Sequence, residues 1–290
     1  MSIPSLDAYA LPQAADFPAN KTDWRLEPSR AVLLIHDMQR YFLAFYGPDS
    51  ALAKQLIARI ADLRQWADRH GVPVVYTAQP TEQSAQDRAL LNDMWGPGLT
   101  RAEPAQQAVT PELAPREGDI VLDKWRYSAF QRSDLQERMQ AWGRDQLLIC
   151  GVYAHIGCMM TAADAFMRDI QAFLVGDAVA DFSEEEHRMA LRYVATRCGK
   201  VISHAELAVA ADKPTRDWLK AQVLAVLEDG DDSLAGEDNL IDYGLDSVQV
   251  MALVARWQAL GIKVSFEDLA RDPSLDGWWG LIAPQVAEAA

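Results

Sequence analysis

An acid, a lysine and a glycine-containing turn each follow an apolar segment of the chain. Asp37 comes shortly after the apolar run at 31–35, Lys124 ends a second run, and residues 151–158 form a turn after a third. A carboxyl group close to an ammonium group can transfer a proton to or from a bound molecule. These positions predict acid–base chemistry, although Asp37 by itself is equally compatible with a loop acid or a helix cap.

Strands and helices alternate along the part of the chain that contains these residues. Apolar runs predict six strands, at residues 31–35, 72–78, 119–124, 146–151, 172–176 and 201–203. Helical spacing of apolar residues predicts helices at residues 52–70, 135–142, 157–170 and 184–196. The alternation predicts an α/β fold, a Rossmann-like parallel six-stranded sheet with helices on both faces. The carboxyl ends of parallel strands meet at one edge, so Asp37, Lys124 and the turn should lie together there.

The pattern changes near Pro214, after which only helices are predicted. We therefore place one domain at residues 1–212 and a second at residues 213–290, a small all-α domain of four helices. The second domain carries 6 basic and 14 acidic residues, and the first carries 21 basic and 28 acidic residues. The acidic character of the second domain predicts partners with basic docking surfaces. Residues 1–30 hold four prolines and predict an extended arm.

Composition limits the classes of partner and compartment. The net charge of −15 at pH 7 argues against nucleic acid and anionic membranes as partners. No apolar run approaches the roughly 18 residues that span a bilayer, and the amino terminus lacks a basic segment followed by an apolar one. The 3 cysteines, Cys150, Cys158 and Cys198, are odd in number and lie in apolar or helical contexts, which favours reduced thiols. We expect a soluble cytoplasmic protein.

The segment 238–251 places Ser247 at the start of an amphipathic helix, directly after Gly-Leu-Asp. Ser247 alone would be explained as an ordinary helix N-cap. With Leu240, Tyr243 and Gly244, the segment resembles the signature of peptidyl and aryl carrier proteins of nonribosomal synthesis. The resemblance implies that 4′-phosphopantetheine is attached to Ser247 and holds an acyl group through its thiol. A phosphodiester is favoured at a helix N-terminus by free N–H groups and the helix dipole.

The first domain resembles the isochorismatase-like hydrolases through Asp37, Lys124 and the turn Gly-Val-Tyr-Ala-His-Ile-Gly-Cys at 151–158. That family includes cysteine amidases, in which an Asp, a Lys and a Cys form the catalytic trio. Here Gly157 stands at the position of that cysteine. Cys158 is one residue further, and a helix turns by about 100° per residue, so its thiol should point away from the site. An amidase that depends on Cys158 is the alternative.

With glycine in place of that cysteine, the first domain resembles isochorismatase itself. Joined to the carrier domain, this first domain resembles the bifunctional isochorismate lyase and aryl carrier proteins of catechol siderophore pathways. Proteins of this type are found in enterobactin, vibriobactin and bacillibactin synthesis. The resemblance implies hydrolysis of isochorismate to 2,3-dihydro-2,3-dihydroxybenzoate and pyruvate, and a carrier that holds 2,3-dihydroxybenzoate as a thioester. Protonation of the enolpyruvyl methylene needs a general acid and no protein nucleophile, and we select Asp37 as that acid.

The resemblance also implies the other members of the site. Lys124 and Gly157 join Asp37 as catalytic positions. The implied substrate-binding residues are Phe42, Gln79, Arg88, Trp95 and Tyr153. Arg88 is otherwise explained as a solvated helix charge, and Phe42 and Trp95 as core aromatics. His155 is interpreted as a structural histidine, and no metal is predicted because no His, Cys and Asp cluster has the spacing of a ligand set.

The resemblance further implies a cis peptide between Val152 and Tyr153 and a homo-oligomer, a dimer. The implied partners are a phosphopantetheinyl transferase, a 2,3-dihydroxybenzoate adenylation enzyme and a condensation-domain synthetase. A second hypothesis is a carrier and scaffold whose first domain is inactive. The presence of Asp37, Lys124 and Gln79 favours the enzyme, because a decayed site would be expected to lose some of them.

Overall fold

The computed structural model describes residues 6, 8–211, 214–224, 226–227, 234–259 and 262–288. The chain divides into two compact units, Met1–Leu207 and Ala208–Ala290. The border expected from the sequence falls on Asp212 and Lys213, which lie outside the described residues. The first unit contains the sheet, and the described part of the second contains only helices.

The sheet of the first unit is entirely parallel. Its strands are β1 (Ala31–His36), β2 (Val74–Ala78), β3 (Ile120–Asp123), β4 (Gln146–Val152), β5 (Gln171–Ala180) and β6 (Gly199–Ile202). They follow the order β3-β2-β1-β4-β5-β6 across the sheet. The chain thus builds one half of the sheet outward from β1 and the other half outward from β4. Ligands of open α/β sheets bind at such a switch point, outside the carboxyl ends of the two central strands.

Helices fill the connections between the strands, as predicted. The longer helices that begin in the first unit are α2 (Ala51–Arg69), α6 (Leu135–Ala141), α7 (Met159–Phe166), α8 (Glu184–Tyr193) and α9 (His204–Ala211), and α9 continues past the division. Four shorter helices are α1 (Arg40–Leu43), α3 (Ala85–Arg88), α4 (Leu91–Trp95) and α5 (Pro104–Gln107). The predicted helix at 157–170 instead begins as a π-helical turn, Ala154–Cys158, and ends at Phe166.

Helices cover both faces of the sheet, which explains why β1 is buried along its whole length. Val32 and Leu34 pack into one apolar cluster with residues of α6, α7 and α8. Alternate residues of a strand face opposite sides. Tyr76 of β2 faces the other side, where Arg64 of α2 donates a hydrogen bond to its hydroxyl at 3.0 Å. The apolar run at 31–35 is therefore a doubly buried strand, as the sequence predicts.

The long polar connection at 81–115 is folded back over the end of β1. It contains α3, α4, α5 and two 3-10 turns, Gly98–Arg101 and Pro111–Leu113. The Arg40 N–H donates to the Ala108 carbonyl at 2.9 Å, and Gln39 pairs with Val109 in an isolated bridge. The connection therefore forms a wall beside the carboxyl edge of the sheet.

The amino-terminal arm packs along the first unit, as predicted. Leu6 and Leu11 are buried, and the Tyr9 hydroxyl accepts a hydrogen bond from the Asp181 N–H at 2.8 Å. Further along, the Lys21 N–H donates to the Ala195 carbonyl at 2.9 Å. The arm thus contacts the segments that follow β5 and α8.

The second unit is a small helical domain with a tryptophan-rich core. Its helices are α10 (Arg216–Leu224), α11 (Ser247–Ala259), α12 (Phe266–Arg271) and α13 (Leu275–Glu288). Trp257 and Trp278 are both fully buried, with ring centroids 5.7 Å apart. This core confirms the predicted four-helix architecture. Among the described residues of the whole chain, no helix is long and apolar enough to cross a membrane.

Candidate active site

A cavity that is open at its mouth lies beyond the carboxyl ends of the central strands. All eight residues that the sequence predicts for this site line it: Asp37, Phe42, Gln79, Arg88, Trp95, Lys124, Tyr153 and Gly157. They follow β1, β2, β3 and β4 or belong to the connections at that edge. A concave site lined by aromatic rings and a few charged side chains is typical of a small-molecule site.

Asp37 is held in one orientation by two neighbouring side chains. Its backbone has a positive φ of 49°, and its N–H lies 3.1 Å from Thr77 Oγ1. Thr77 donates its hydroxyl to Asp37 Oδ1 at 2.7 Å, and Lys124 Nζ donates to Oδ2 at 2.9 Å. Burial alone would raise the pKa of Asp37, but the Lys124 charge and these hydrogen bonds hold it below its usual value. The free protein therefore holds an ionised Asp37 next to a buried ammonium group.

Gln39, to which the sequence assigned no role, fixes the edge on which Gln79 lies. Gln39 Oε1 accepts the Gln79 N–H at 2.7 Å, and its Nε2 donates to the Gln79 and Gln107 carbonyls at 3.0 and 2.7 Å. Gln39 itself is only 1% exposed. It joins the ends of β1 and β2 to the connection that walls the cavity, and so it positions Gln79.

The turn after β4 contributes backbone to the cavity and no nucleophile. The Val152–Tyr153 peptide is cis, as the resemblance implied. The N–H groups of Ile156, Gly157 and Cys158 all donate to the Tyr153 carbonyl, at 3.3, 3.1 and 3.2 Å. These donors are engaged within the turn. Polar anchors for a ligand are therefore provided by the side chains around the cavity.

The three thiols stay away from this cavity. Cys158 is fully buried and packs into the apolar cluster beneath the sheet edge, and it does not line the cavity. Cys150 and Cys198 are buried as well, and all three are free thiols. Burial raises the pKa of each thiol, which disfavours the thiolate that a nucleophile requires. This geometry argues against the Cys158-dependent amidase.

Arg88 brings a buried guanidinium group to the cavity wall. Its side chain donates to the Gly96 carbonyl at 2.7 Å and to Gln83 Oε1 at 3.1 Å, and no ion pair with a carboxylate is found for it in the described part of the chain. Only 4% of Arg88 is exposed, and burial lowers the pKa of its guanidinium. The explanation as a solvated helix charge is therefore wrong. A buried cation without a carboxylate partner is suited to bind an anionic ligand.

Aromatic rings form the opposite wall. The Tyr153 ring packs edge-on against Phe42 and Phe182, with centroid distances of 6.1 and 4.7 Å, and its hydroxyl donates to the Phe42 carbonyl at 2.7 Å. Trp95 packs against Phe182 and donates its Nε1 hydrogen to the Tyr127 hydroxyl at 2.9 Å. Phe42 and Trp95 thus face the cavity as well as the interior. The wall excludes water from one side of a bound ligand.

His155, Asp181 and Glu186 form a polar group that the sequence spacing did not indicate. Their potential ligand atoms lie within 4.8 Å of one another. His155 Nδ1 lies 2.6 Å from Asp181 Oδ1, and the His155 N–H donates to Asp181 Oδ2 at 2.6 Å. Burial opposes protonation of His155, but the hydrogen bond and charge of Asp181 raise its pKa. Asp181 is satisfied by these donors, so the group is explained as the anchor of the turn before α7.

Sequence reasoning missed several residues that line the cavity: Tyr41, Leu91, Gly98, Trp125, Arg126, Tyr127, Val152, Ile156 and Phe182. Two signals were available in the sequence. Trp-Arg-Tyr follows Lys124 directly, and Phe182 follows the fifth predicted strand at the same edge of the sheet. His36, the last residue of β1, was also missed, and its ring lies against Gly157.

In the second unit, Ser247 is the first residue of α11 and is exposed to solvent. Asp246, not Ser247, caps the helix: Asp246 Oδ1 accepts the Gln249 N–H at 2.8 Å, and Gln249 Oε1 accepts the Asp246 N–H at 2.9 Å. The explanation of Ser247 as the N-cap is therefore wrong. Its hydroxyl lies at the positive end of the helix dipole, where a phosphodiester fits without displacing a cap.

Comparisons with known proteins identify the type of each domain. Residues 31–206 match the family described as isochorismatase domain, and residues 217–282 match the phosphopantetheine attachment site. Enterobactin synthase component B of Escherichia coli K12 is 54% identical, over 99% of this chain and 100% of its own. The isochorismatase of Bacillus subtilis 168 is 44% identical, over 97% and 96%.

Among solved structures, a cysteine hydrolase of Pseudomonas syringae pv. phaseolicola 1448A has a TM-score of 0.60 at 24% identity. It covers 67% of this chain and 97% of its own, and at this identity the likeness shows the fold alone. The chain belongs to the isochorismatase family through its first unit and continues into a phosphopantetheine-carrying domain.

Proposed function

We propose that the chain hydrolyses isochorismate to 2,3-dihydro-2,3-dihydroxybenzoate and pyruvate, and that its carrier domain holds 2,3-dihydroxybenzoate as a thioester in siderophore synthesis. One observation carries the enzymatic part. The cavity joins a carboxyl group and an ammonium group, Asp37 and Lys124, at a place where Gly157 supplies no nucleophile. Hydrolysis of a vinyl ether needs a proton donor and water but no covalent intermediate, and Asp37 supplies the donor.

Asp37 acts as the general acid. It delivers its proton to the terminal methylene of the enolpyruvyl group, which leaves an oxocarbenium ion at the ether carbon. Water adds to that carbon and returns a proton to the Asp37 carboxylate, and the hemiketal collapses to pyruvate and the ring alcohol, whose oxygen takes the proton of the hemiketal hydroxyl. The carboxylate left on Asp37 is stabilised by the Thr77 hydroxyl and by Lys124 Nζ, which already donate to it in the free protein.

Asp37 is ionised in the free protein, and binding of the substrate raises its pKa so that it can hold the catalytic proton. Isochorismate carries two carboxylates, and the cavity offers Lys124 and Arg88 as buried cations. When a carboxylate engages Lys124 it weakens the pairing of that ammonium with Asp37, and its negative charge raises the pKa of Asp37. Substrate binding and uptake of the catalytic proton are thereby coupled.

Incubation of the purified chain with isochorismate tests this proposal directly. Pyruvate is measured by NADH oxidation with added lactate dehydrogenase, and the ring product by chromatography in equal amount. Nicotinamide serves as the amidase control and is expected to release no ammonia. A folded protein that releases no pyruvate above background would leave the second hypothesis, an inactive first domain joined to a carrier.

Substitution of Arg88 by Met is expected to raise KM for isochorismate roughly 10- to 100-fold, because a charge-assisted hydrogen bond to a substrate carboxylate is lost. The effect on kcat is expected to be smaller, since Arg88 contacts the substrate away from the proton donor. Initial rates of pyruvate release over a range of substrate concentrations measure both parameters. Arg101→Met, which removes an exposed arginine of the same connection, is the matched control and should leave KM unchanged.

The carrier half has partners of its own. Ser247 is the attachment point for 4′-phosphopantetheine, which supplies a flexible thiol for an acyl group. Val248 and Met251, 75% and 62% exposed, flank it on α11 and offer an apolar docking surface. We assign this surface to the phosphopantetheinyl transferase, the 2,3-dihydroxybenzoate adenylation enzyme and the condensation-domain synthetase. The modified chain is then a phosphoprotein, and the free buried thiols favour the cytoplasm.

The first domain is proposed to form a homodimer through an apolar groove. Leu90, Met94 and Met167 line this groove and are 79%, 53% and 74% exposed. Exposed apolar side chains that cluster in one groove are a feature of protein–protein contact sites. Arg126 and Tyr127 line both the groove and the cavity, so a partner subunit would cover residues adjacent to the substrate.

Charging the groove should dissociate the dimer. The double variant Leu90→Glu/Met167→Glu is expected to sediment as a monomer, because two carboxylates would be buried unpaired in the interface. Tyr193→Glu places the same charge at an exposed aromatic residue of α8 outside the groove and is the control. Sedimentation velocity at several concentrations measures the mass. A wild-type protein that is monomeric throughout, or a double variant that stays dimeric, would exclude this groove as the interface.

A further inference from the structure

Gly157 has no space for a side chain, because His36 occupies it. A Cβ built on Gly157 would lie 2.0 Å from His36 Cε1, 2.6 Å from its Nε2 and 2.8 Å from its Nδ1. Distances under about 3 Å between such atoms do not occur without displacement of one of them. The two residues are 121 positions apart and meet because β1 and β4 are neighbours in the sheet, with His36 paired to Gly151.

The His36 ring cannot yield this space easily. It is fully buried, and its Nδ1 lies 2.8 Å from the Val152 carbonyl, to which it donates a hydrogen bond. Its Nε2 has no hydrogen-bond partner among the described residues. A Cβ at Gly151 would lie 2.2 Å from the His36 carbonyl, so the backbone of β4 is pressed close to this residue as well. Burial lowers the pKa of His36 to about 4, so the ring is neutral at pH 7.

We propose that His36 is a positioning residue that replaces the side chain missing at position 157: its ring fills that volume, and its Nδ1 hydrogen bond to Val152 holds the turn against the substrate. His36 and Gly157 then form a matched pair that determines which chemistry the site can perform. While the imidazole is present, a thiol at position 157 cannot fit beside Asp37 and Lys124. The part of this inference that concerns catalysis rests on the proposed function, and the part that concerns volume does not.

Two substitutions separate the volume of His36 from its hydrogen bond. His36→Asn keeps a donor close to the position of Nδ1, 2.8 Å from a Cβ at residue 157, and removes Cε1 and Nε2, the two ring atoms closest to that Cβ. His36→Leu keeps a similar volume and removes the donor. His36 lies behind Gly157 and does not line the cavity, while its Nδ1 lies 3.6 Å from Asp37 Oδ2, so a pH profile of kcat for both variants checks that Asp37 is unchanged.

The volume is tested by thermal unfolding of the full chain. Gly157→Ala alone is expected to lower Tm by roughly 5–10 °C, because overpacking a buried site displaces its neighbours. In the His36→Asn background the same substitution should lower Tm by less than about half as much, because the two closest contacts are gone, and in the His36→Leu background it should cost as much as in the wild type. Equal losses in all three backgrounds would overturn the volume exchange.

Chemical labelling of a cysteine introduced at position 157 tests the same exchange of volume independently of stability and of turnover. In the folded His36→Asn/Gly157→Cys variant, iodoacetamide is expected to label one cysteine per chain, identified at position 157 by peptide mass. Cys150, Cys158 and Cys198 are internal controls, because all are buried, and they should stay unlabelled as in the wild type. A double variant whose new thiol is unreactive while folded would contradict the inference.

The hydrogen bond is tested by kinetics. His36→Leu is expected to lower kcat for pyruvate release by about tenfold with little change in KM, because the turn is no longer held at its catalytic distance. His36→Asn should keep kcat within about threefold of the wild type. Equal kcat values in the wild type and the Leu variant would show that His36 only fills space. If the wild type releases no pyruvate, the proposed function fails, while the unfolding and labelling results still decide the volume exchange.

Discussion

Asp37→Asn is expected to lower kcat for pyruvate release from isochorismate by about 10²- to 10⁴-fold, the usual contribution of a positioned proton donor. The amide has the size of the carboxyl group and can still accept the Thr77 hydroxyl hydrogen bond. It has no acidic proton to give to the methylene carbon at neutral pH. KM should change far less than kcat, because Arg88 and Lys124 still bind the carboxylates. Initial rates with the lactate dehydrogenase assay measure both parameters.

The control for this variant addresses the buried charge that it leaves behind. Lys124 is 5% exposed, and loss of its partner should cost about 3–5 kcal/mol of the free energy of unfolding. Asp37→Asn/Lys124→Met removes both charges and should recover most of that stability, while pyruvate release stays lost. An Asp37→Asn protein that is folded and retains wild-type kcat would refute the role of Asp37 as the acid.

The pH dependence of stability gives the pair an independent signature. The folded pKa of Asp37 lies below its unfolded value of about 3.9, so the pair contributes stability above that pH. This contribution is lost as pH falls through the folded pKa, because the proton then neutralises the carboxylate. Acid titration of the unfolding free energy should therefore show a smaller decrease for Asp37→Asn than for the wild type.

All eight predicted residues line the cavity, and the simplest to explain are the three that directly follow a strand. Asp37, Gln79 and Lys124 each come directly after a strand, so a parallel sheet alone brings them to one edge. Tyr153 and Gly157 were added by a resemblance in the turn after β4. In each of these cases the information lies within a short stretch of chain.

The residues that the sequence did not predict depend on contacts between distant segments. The contact of His36 with Gly157 exists only because β4 lies beside β1 in the sheet, an order that no local pattern encodes. The same holds for Gln39, whose amide reaches the connection at 81–115. The ends of an element can differ from the prediction for the same reason. The predicted strand ends at 176, but β5 runs to Ala180 because it continues to pair with β4 after an irregularity.

Ser247→Ala is expected to abolish phosphopantetheinylation completely, because the hydroxyl oxygen forms the only bond to the arm. The purified chain is incubated with coenzyme A and a phosphopantetheinyl transferase, and intact mass is measured. The wild type should gain the mass of one arm, and the variant should gain none. Pyruvate release should be the same in both proteins, since Ser247 belongs to the second unit and the substrate cavity to the first. A variant that still gains the arm would place the attachment at another residue.

The stability of the variant distinguishes a modified serine from a capping one. α11 is capped by Asp246 and Gln249, so loss of the Ser247 hydroxyl should leave the unfolding of the carrier domain unchanged within about 0.5 kcal/mol. Ser265 is the matched control, because it accepts the Asp268 N–H and closes the capping box of α12. Ser265→Ala should therefore cost about 1 kcal/mol and keep the arm. Opposite results for the two serines would assign one a chemical role and the other a structural one, although both begin a helix of the same domain.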